Sequence, residues 1–261
     1  MKTERIEGKL YKVIYEPYDT DKISYCEATR PTVEDACGEA KFFDKDGKLI
    51  SRFALSMSGY QNEIPVSYDG KKAYAYNATN LKPYVSCYDV ESGTLIWAND
   101  SKEIKEVCKV ELFGNTLVCE VYDVGVCLIN ATTGKIIRWL LRNSGLSMWR
   151  ITRELIAIWN RYKMKMYCYD IENDVLRVLP FDFNAKKHFN ELLAQGKVAG
   201  WNVHFAMEYA KVEDGKLKVH LFISHYDFRG DYYEETPMSQ VIGKGKVYVC
   251  KPRKKRNNYF K

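Results

Sequence analysis

A chain of 261 residues that is 46% hydrophobic and 28% charged can bury a sizeable core, as one large domain or two smaller ones, and is too apolar to be disordered. The net charge of +6 is uneven: Lys251, Arg253, Lys254, Lys255 and Arg256 supply five of it, which leaves the body near +1 (6 − 5) and excludes a strong basic field there. Eight Cys with no CxxC pair exclude a zinc knuckle or a thioredoxin-type motif, while twenty Tyr and an aromatic share of 14% favour strands.

The opening segment, Met1 to Asp19, has no apolar stretch after its charges, and no run of eighteen apolar residues occurs anywhere. The expectation is therefore a soluble, cytoplasmic protein that does not enter a membrane. In that compartment the Asn-x-Ser/Thr triplets at Asn77, Asn99 and Asn130 are chance matches.

Four short strands can be placed in residues 8–54, closing on Phe42-Phe43-Asp44-Lys45-Asp46-Gly47-Lys48-Leu49-Ile50. The same pattern returns at Cys87-Tyr88-Asp89, followed by Gly93 and Trp97. It returns again at Cys127 to Asn130, followed by Gly134 and Trp139, and at Cys168-Tyr169-Asp170. The Cys residues are 40 and 41 positions apart (127 − 87 and 168 − 127). Fainter echoes fall at Tyr209, before Glu213-Asp214-Gly215-Lys216, and at Cys250.

Each copy reads as a hairpin. A strand ends in Asp or Asn, whose side chain bonds nearby backbone, a Gly supplies positive φ, and an apolar strand runs back. Upstream lie further strand patterns: Ala73–Tyr76, Val107–Phe113, Thr116–Val121, Met148–Thr152 and Leu155–Trp159. Four strands per forty-odd residues is the blade of a β-propeller.

The expected fold is thus all-β: a propeller of four-stranded blades, five of them or six, in one domain over residues 1–251, with a basic tail at 252–261. One helix interrupts it near 184–196, capped by Asn184 and stopped by Gly196. The segment Leu128 to Trp139 resembles the blade signature of the quinoprotein-dehydrogenase-like propellers, and Cys87 to Trp97 is similar. The resemblance covers about residues 40–180 and implies a fold, not a chemistry, because propellers host unrelated functions.

The repeated Cys read as core, since equivalent positions splay around a ring and cannot meet at one metal. His188, His204, His220 and His225 fit no ligand spacing, so no metal and no cofactor is expected. Trp97 and Trp139 sit at the repeat position and read as blade-to-blade packing. The acidic residues Asp44, Asp46, Asp89, Glu91 and Asp170 fall at turns and shape hairpins. No phosphate loop, nucleophile elbow or zincin motif is present.

Trp149-Arg150 and Trp159-Asn160-Arg161-Tyr162 differ from the rest, because aromatic and Arg residues meet at expected strand ends. Trp149, Arg150, Trp159, Arg161 and Tyr162 are therefore the candidate partner-binding residues. The sequence-level expectation is a non-catalytic protein-binding propeller, in its concrete form a toxin-neutralising immunity protein that clamps one partner. The alternatives are a quinone-cofactor oxidoreductase, implied by the resemblance, and an RNA-binding protein acting through the tail from Lys251 to Arg256.

Overall fold

A computed structural model describes residues 1–8, 10–29, 37–57, 63–79, 81–179, 185–195, 203–213, 216–227, 230–241 and 246–248. They fall into two compact units, Met1–Arg138 with Thr152–Glu154, and Trp139–Ile151 with Leu155–Lys261.

The first unit opens with a five-stranded antiparallel meander: β1 (Lys2–Glu7), β2 (Leu10–Ile14), β3 (Tyr25–Thr29), β4 (Cys37–Phe43) and β5 (Leu49–Ser56). Period-two alternation buries Tyr11 and Val13 of β2, Cys26 and Ala28 of β3, and Ala40 and Phe42 of β4 in one core. The sequence pattern does not foretell β1, because its charged segment is exposed throughout, and it pairs with β2 in an antiparallel ladder.

The second sheet is β6 (Lys72–Tyr76), β7 (Val85–Asp89) and β8 (Leu95–Asn99), with an isolated bridge from Val66 to Ala73. A single 3-10 turn at Lys102–Ile104 precedes the third sheet, ordered β9 (Val107–Phe113), β10 (Thr116–Val121), β11 (Gly125–Asn130) and β12 (Ile136–Leu141). The strand ending in the repeated Asx is buried on both faces: Val85 to Tyr88 in β7 and Gly125 to Ile129 in β11. Such strands read as continuous apolar runs rather than alternating ones.

The hairpins follow the expected chemistry. Asp44 Oδ1 accepts from the N–H groups of Asp46 (3.0 Å) and Lys48 (2.8 Å), Asp89 Oδ1 from Ser92 N (2.8 Å), and Asn130 Oδ1 from Thr132 N and Thr133 N (both 2.9 Å). The N–H of Ser92 and its hydroxyl hold the Asp89 carboxyl below its ordinary value. Gly93 and Gly134 then turn the chain at φ +69° and +70°. In the fourth copy Asp174 takes this role at φ +52°, and its Oδ1 accepts from the Tyr169 hydroxyl at 2.7 Å.

These glycines also accept an aromatic ring from the preceding sheet. A Cβ at Gly93 would lie 2.7 Å from Phe53 of β5, and one at Gly134 would lie 2.5 Å from the Trp97 ring of β8. Trp97 Nε1 donates to Ala131 O at 3.1 Å, and Asn99 Nδ2 donates to Gly134 O. Gly134→Ala combines positive-φ strain with overpacking against the indole. It should cost about 1–3 kcal/mol in urea unfolding, whereas Gly47→Ala, with nothing within 4 Å of its Cβ, should cost only the strain.

Trp139 departs from the expectation that it matches Trp97. Trp97 is eight residues past Asp89 (97 − 89) and Trp139 nine past Asn130 (139 − 130), one position out of step. Its buried indole N–H has no hydrogen-bond partner among the described residues, and the Arg142 guanidinium lies 4.5 Å from its ring centroid.

The outer strands β5 and β8 are bulged: the ladders jump from Ser51 to Leu49 and from Trp97 to Leu95, leaving Ile50 and Ile96 unpaired and exposed. A bulge twists an edge away from further pairing.

The second unit contains β13 (Leu146–Arg150), β14 (Leu155–Asn160), β15 (Lys165–Asp170) and β16 (Val175–Leu179), again a meander. The ladder of β15 to β16 is regular. After α1 (Ala185–Ala194) come β17 (Val203–Glu213), β18 (Lys216–Asp227) and β19 (Gly230–Val241), a three-stranded antiparallel sheet. The last strand, β20 (Lys246–Tyr248), joins the open, unbulged edge of β16, so the meander β13–β16 gains a fifth strand.

The chain is thus an all-β propeller built from five described sheets, with its helix inside the expected span. Residues 203–241 differ from a blade of four short strands: β17 to β19 are 11, 12 and 12 residues long, because no Gly interrupts either β17 or β18. The Cys250 echo and the tail at 251–261 lie outside the described residues.

Candidate functional site

At one end of the meander β13–β16, in the second unit, a loop and a turn are locked together. Asn160, the last residue of β14, is fully buried, and its Oδ1 accepts from Tyr162 N (3.1 Å) and Lys163 N (2.8 Å). This Asx turn sets Met164 at φ +49° and starts β15. Across from it Gly145, at φ +67°, accepts the Arg161 N–H at 3.0 Å through its carbonyl. Gly145 must be glycine for a second reason, since a Cβ there would stand 2.4 Å from the Tyr162 ring.

Tyr162 is therefore seated against backbone, yet 60% exposed. The Arg161 guanidinium lies 5.0 Å from its ring centroid, and Nη2 donates to the phenol oxygen at 3.2 Å. Lys163 Nζ donates to Asn143 Oδ1 and ties the turn to the facing loop. Two donors in this turn, Arg161 Nε and Asn160 Nδ2, are buried without an acceptor among the described residues.

The candidate residues do not form one cluster. Arg161 and Tyr162 define the end just described. Trp149 and Arg150, both half-buried, stand opposite Ala157 and Ile156, toward the other end of the same sheet. Asn160 is four steps along β14 from Ile156, about 13 Å at 3.3 Å per residue. Trp159 is a correction: it is fully buried in β14 opposite Ser147 and Met166, so it has no surface to give a partner. The strand runs one residue further than its apolar stretch, to Asn160, and turns this ring inward.

Lys251, Arg253, Lys254, Lys255 and Arg256 lie outside the described residues. Gly145, Asn143 and Lys163 went unnoticed in the sequence. An Asn-Ser-Gly triplet at 143–145 marks a loop, but its pairing with residue 161 arises only from the register of β13 on β14.

A second cluster, in the first unit, was also illegible. Lys109 of β9 reaches Glu63 at 3.5 Å and Glu111 at 3.4 Å, and Glu120 of β10 stands opposite it in the ladder. Burial pulls the Lys109 pKa down, but Glu63, Glu111 and Glu120 more than reverse this, leaving it above the ordinary lysine value. The neighbouring Tyr76 phenol is pushed well up, by burial first and by the same carboxylates second.

Cys87, Cys127 and Cys168 are free and buried in β7, β11 and β15, the strands that end in the repeated Asx. Burial raises the thiols of Cys87 and Cys168 to about 11. Cys127 faces Cys119 across the ladder. Among the described residues, no three or more His, Cys, Asp or Glu group so as to hold a metal, and no helix is long and apolar enough to cross a membrane. Of the histidines, His204 is in register with Ser224, His220 with Tyr209 and His225 with Val203.

The chain is similar in fold to solved β-propellers. BamB from Moraxella catarrhalis aligns at TM-score 0.49 and 8% identity, over 89% of this chain and 63% of its own. The WD40 propeller domain of Doa1 aligns at TM-score 0.48 and 11% identity, over 81% and 68%. The computationally designed Ika8 protein aligns at TM-score 0.45 and 11% identity, over 85% and 81%. No protein-family model and no curated protein matches the sequence.

Proposed function

We propose that this chain is a non-catalytic protein-binding scaffold and that the Tyr162 end of the meander β13–β16 is its docking surface. The observation that carries this reading is the fixed geometry of Tyr162: a large exposed ring whose position is already set by Gly145, Arg161 and Asn160. Aromatic and Arg residues held in place before contact lose little entropy on binding and are the usual anchors of an interface. In its finer form the scaffold neutralises a toxin by clamping it, as an immunity protein does, and acts in the cytoplasm.

The test is co-expression with the products of neighbouring genes, followed by size-exclusion chromatography of wild type and Tyr162→Ala. Wild type should co-elute with one such product, and Tyr162→Ala should weaken the complex by about 2 kcal/mol or more while its thermal unfolding stays within a few tenths of wild type. A complex untouched by Tyr162→Ala would move the surface elsewhere. A monomer that engages none of the neighbouring products would remove the scaffold reading.

A further inference from the structure

The loop and the turn that hold Tyr162 are chemically one-sided. Residues 139–147 and 159–166 contribute Arg142, Arg161, Lys163 and Lys165 and contain no Asp or Glu. Among the described residues no carboxylate lies within ion-pair distance of Arg161, Lys163 or Lys165. Two of these cations are engaged with neutral partners instead: Arg161 over Tyr162, and Lys163 on Asn143. The unsatisfied groups nearby, Arg161 Nε and Asn160 Nδ2, are both donors. At the other end of the same sheet, Asp170, Glu172 and Asp174 crowd the β15–β16 turn, and Arg177 approaches Asp170 at 3.9 Å.

We infer that the partner docked at Tyr162 presents an acidic protein surface, with carboxylates for Arg161, Lys163 and Lys165 around an apolar contact for Tyr162 and Met164. The inference rests on the docking reading above and adds the chemistry of the partner. Guanidinium and ammonium groups held beside exposed apolar surface (Tyr162 at 60%, Met164 at 37%) favour carboxylates bracketing an aliphatic side chain. A nucleic acid would need the Tyr162 ring as a stacking platform. The Arg161 guanidinium already lies over that ring, and Gly145 closes on its edge. A second copy of this end would bring like charges together, so self-association through it is disfavoured.

The full chain is titrated by fluorescence anisotropy with three probes of equal charge magnitude: a peptide alternating Glu and Leu, a peptide alternating Lys and Leu, and single-stranded oligothymidine. The Glu–Leu peptide should bind, the Lys–Leu peptide should not, and raising salt should weaken the complex. Lys163→Glu with Lys165→Glu should weaken it by about tenfold or more, and Lys45→Glu, in the β4–β5 turn of the first unit, should leave it unchanged. Lys165→Glu alone guards against a folding effect, because its ammonium has no partner to lose among the described residues. Binding indifferent to these charge reversals overturns the inference, and so does oligothymidine binding as tightly through the same residues. If Tyr162→Ala breaks a native complex that Lys163→Glu with Lys165→Glu leaves intact, the docking reading stands and the acidic chemistry falls.

Discussion

Replacing Lys109 by Met should destabilise the first unit by about 3–5 kcal/mol, a large share of the stability of an ordinary domain. Its ammonium answers Glu111, whose side chain is only 6% exposed, and Glu63, at 25%. Met fills similar volume but removes the ammonium that Glu63 and Glu111 share, beside Glu120. The cost is that of removing one partner from a buried ion pair, which exceeds the net worth of the intact pair.

The pH dependence carries the sign. In wild type the Lys109 pKa is raised above its unfolded value, so its contribution is complete below the ordinary lysine range and is lost only as pH rises through the folded value. In Lys109→Met that contribution is absent, so the deficit should be complete at neutral pH and should shrink as pH rises through the folded Lys109 value. Urea unfolding across pH reads both. The double variant Lys109→Met with Glu111→Gln should recover part of the loss. A deficit that stays constant as pH rises through the folded Lys109 value would show that lost packing, not charge, was the cause.

That cluster also marks where the sequence stops being legible. The hairpins at Asp44, Asp89, Asn130 and Asp170 could be read because the physics is local: a side-chain oxygen caps backbone two to four residues on, and a residue able to take positive φ follows. The spacing of the Cys gave the strands in which they lie, since a strand buried on both faces tolerates a one-residue slip between Cys127 and its turn. Lys109 and Glu63 are 46 positions apart (109 − 63), and Glu120 faces Lys109 only through the β9–β10 register. Nothing short-range encodes either contact.

The same limit explains β1 and the long strands β17 to β19. In β1 an exposed, charged segment pairs through a ladder to β2, and in β17 and β18 the absence of turn glycines, rather than any repeat, sets the length. Half of the candidate site was legible for a similar reason. Arg161 and Tyr162 follow a turn-forming Asn in sequence, whereas Gly145 meets Tyr162 through a strand pairing.

The contrast between Trp159 and Tyr162, three residues apart, gives the second large effect. Trp159→Ala should cost about 3–5 kcal/mol, since it removes a fully buried indole from an interior strand of a packed sheet and leaves a cavity that flanking Ile158 and Asn160 cannot fill without moving the ladder. Tyr162→Ala removes an exposed ring and should leave unfolding within about 0.5 kcal/mol of wild type. The two variants therefore separate folding from docking at one turn. Thermal and urea unfolding should report Trp159→Ala as strongly destabilised, and partner binding, measured where both variants are still folded, should be lost only in Tyr162→Ala. If instead Trp159→Ala folded as well as wild type and alone failed to bind, the buried indole would have to leave the core on binding, and the fixed geometry that makes this end a ready-made docking surface would not hold.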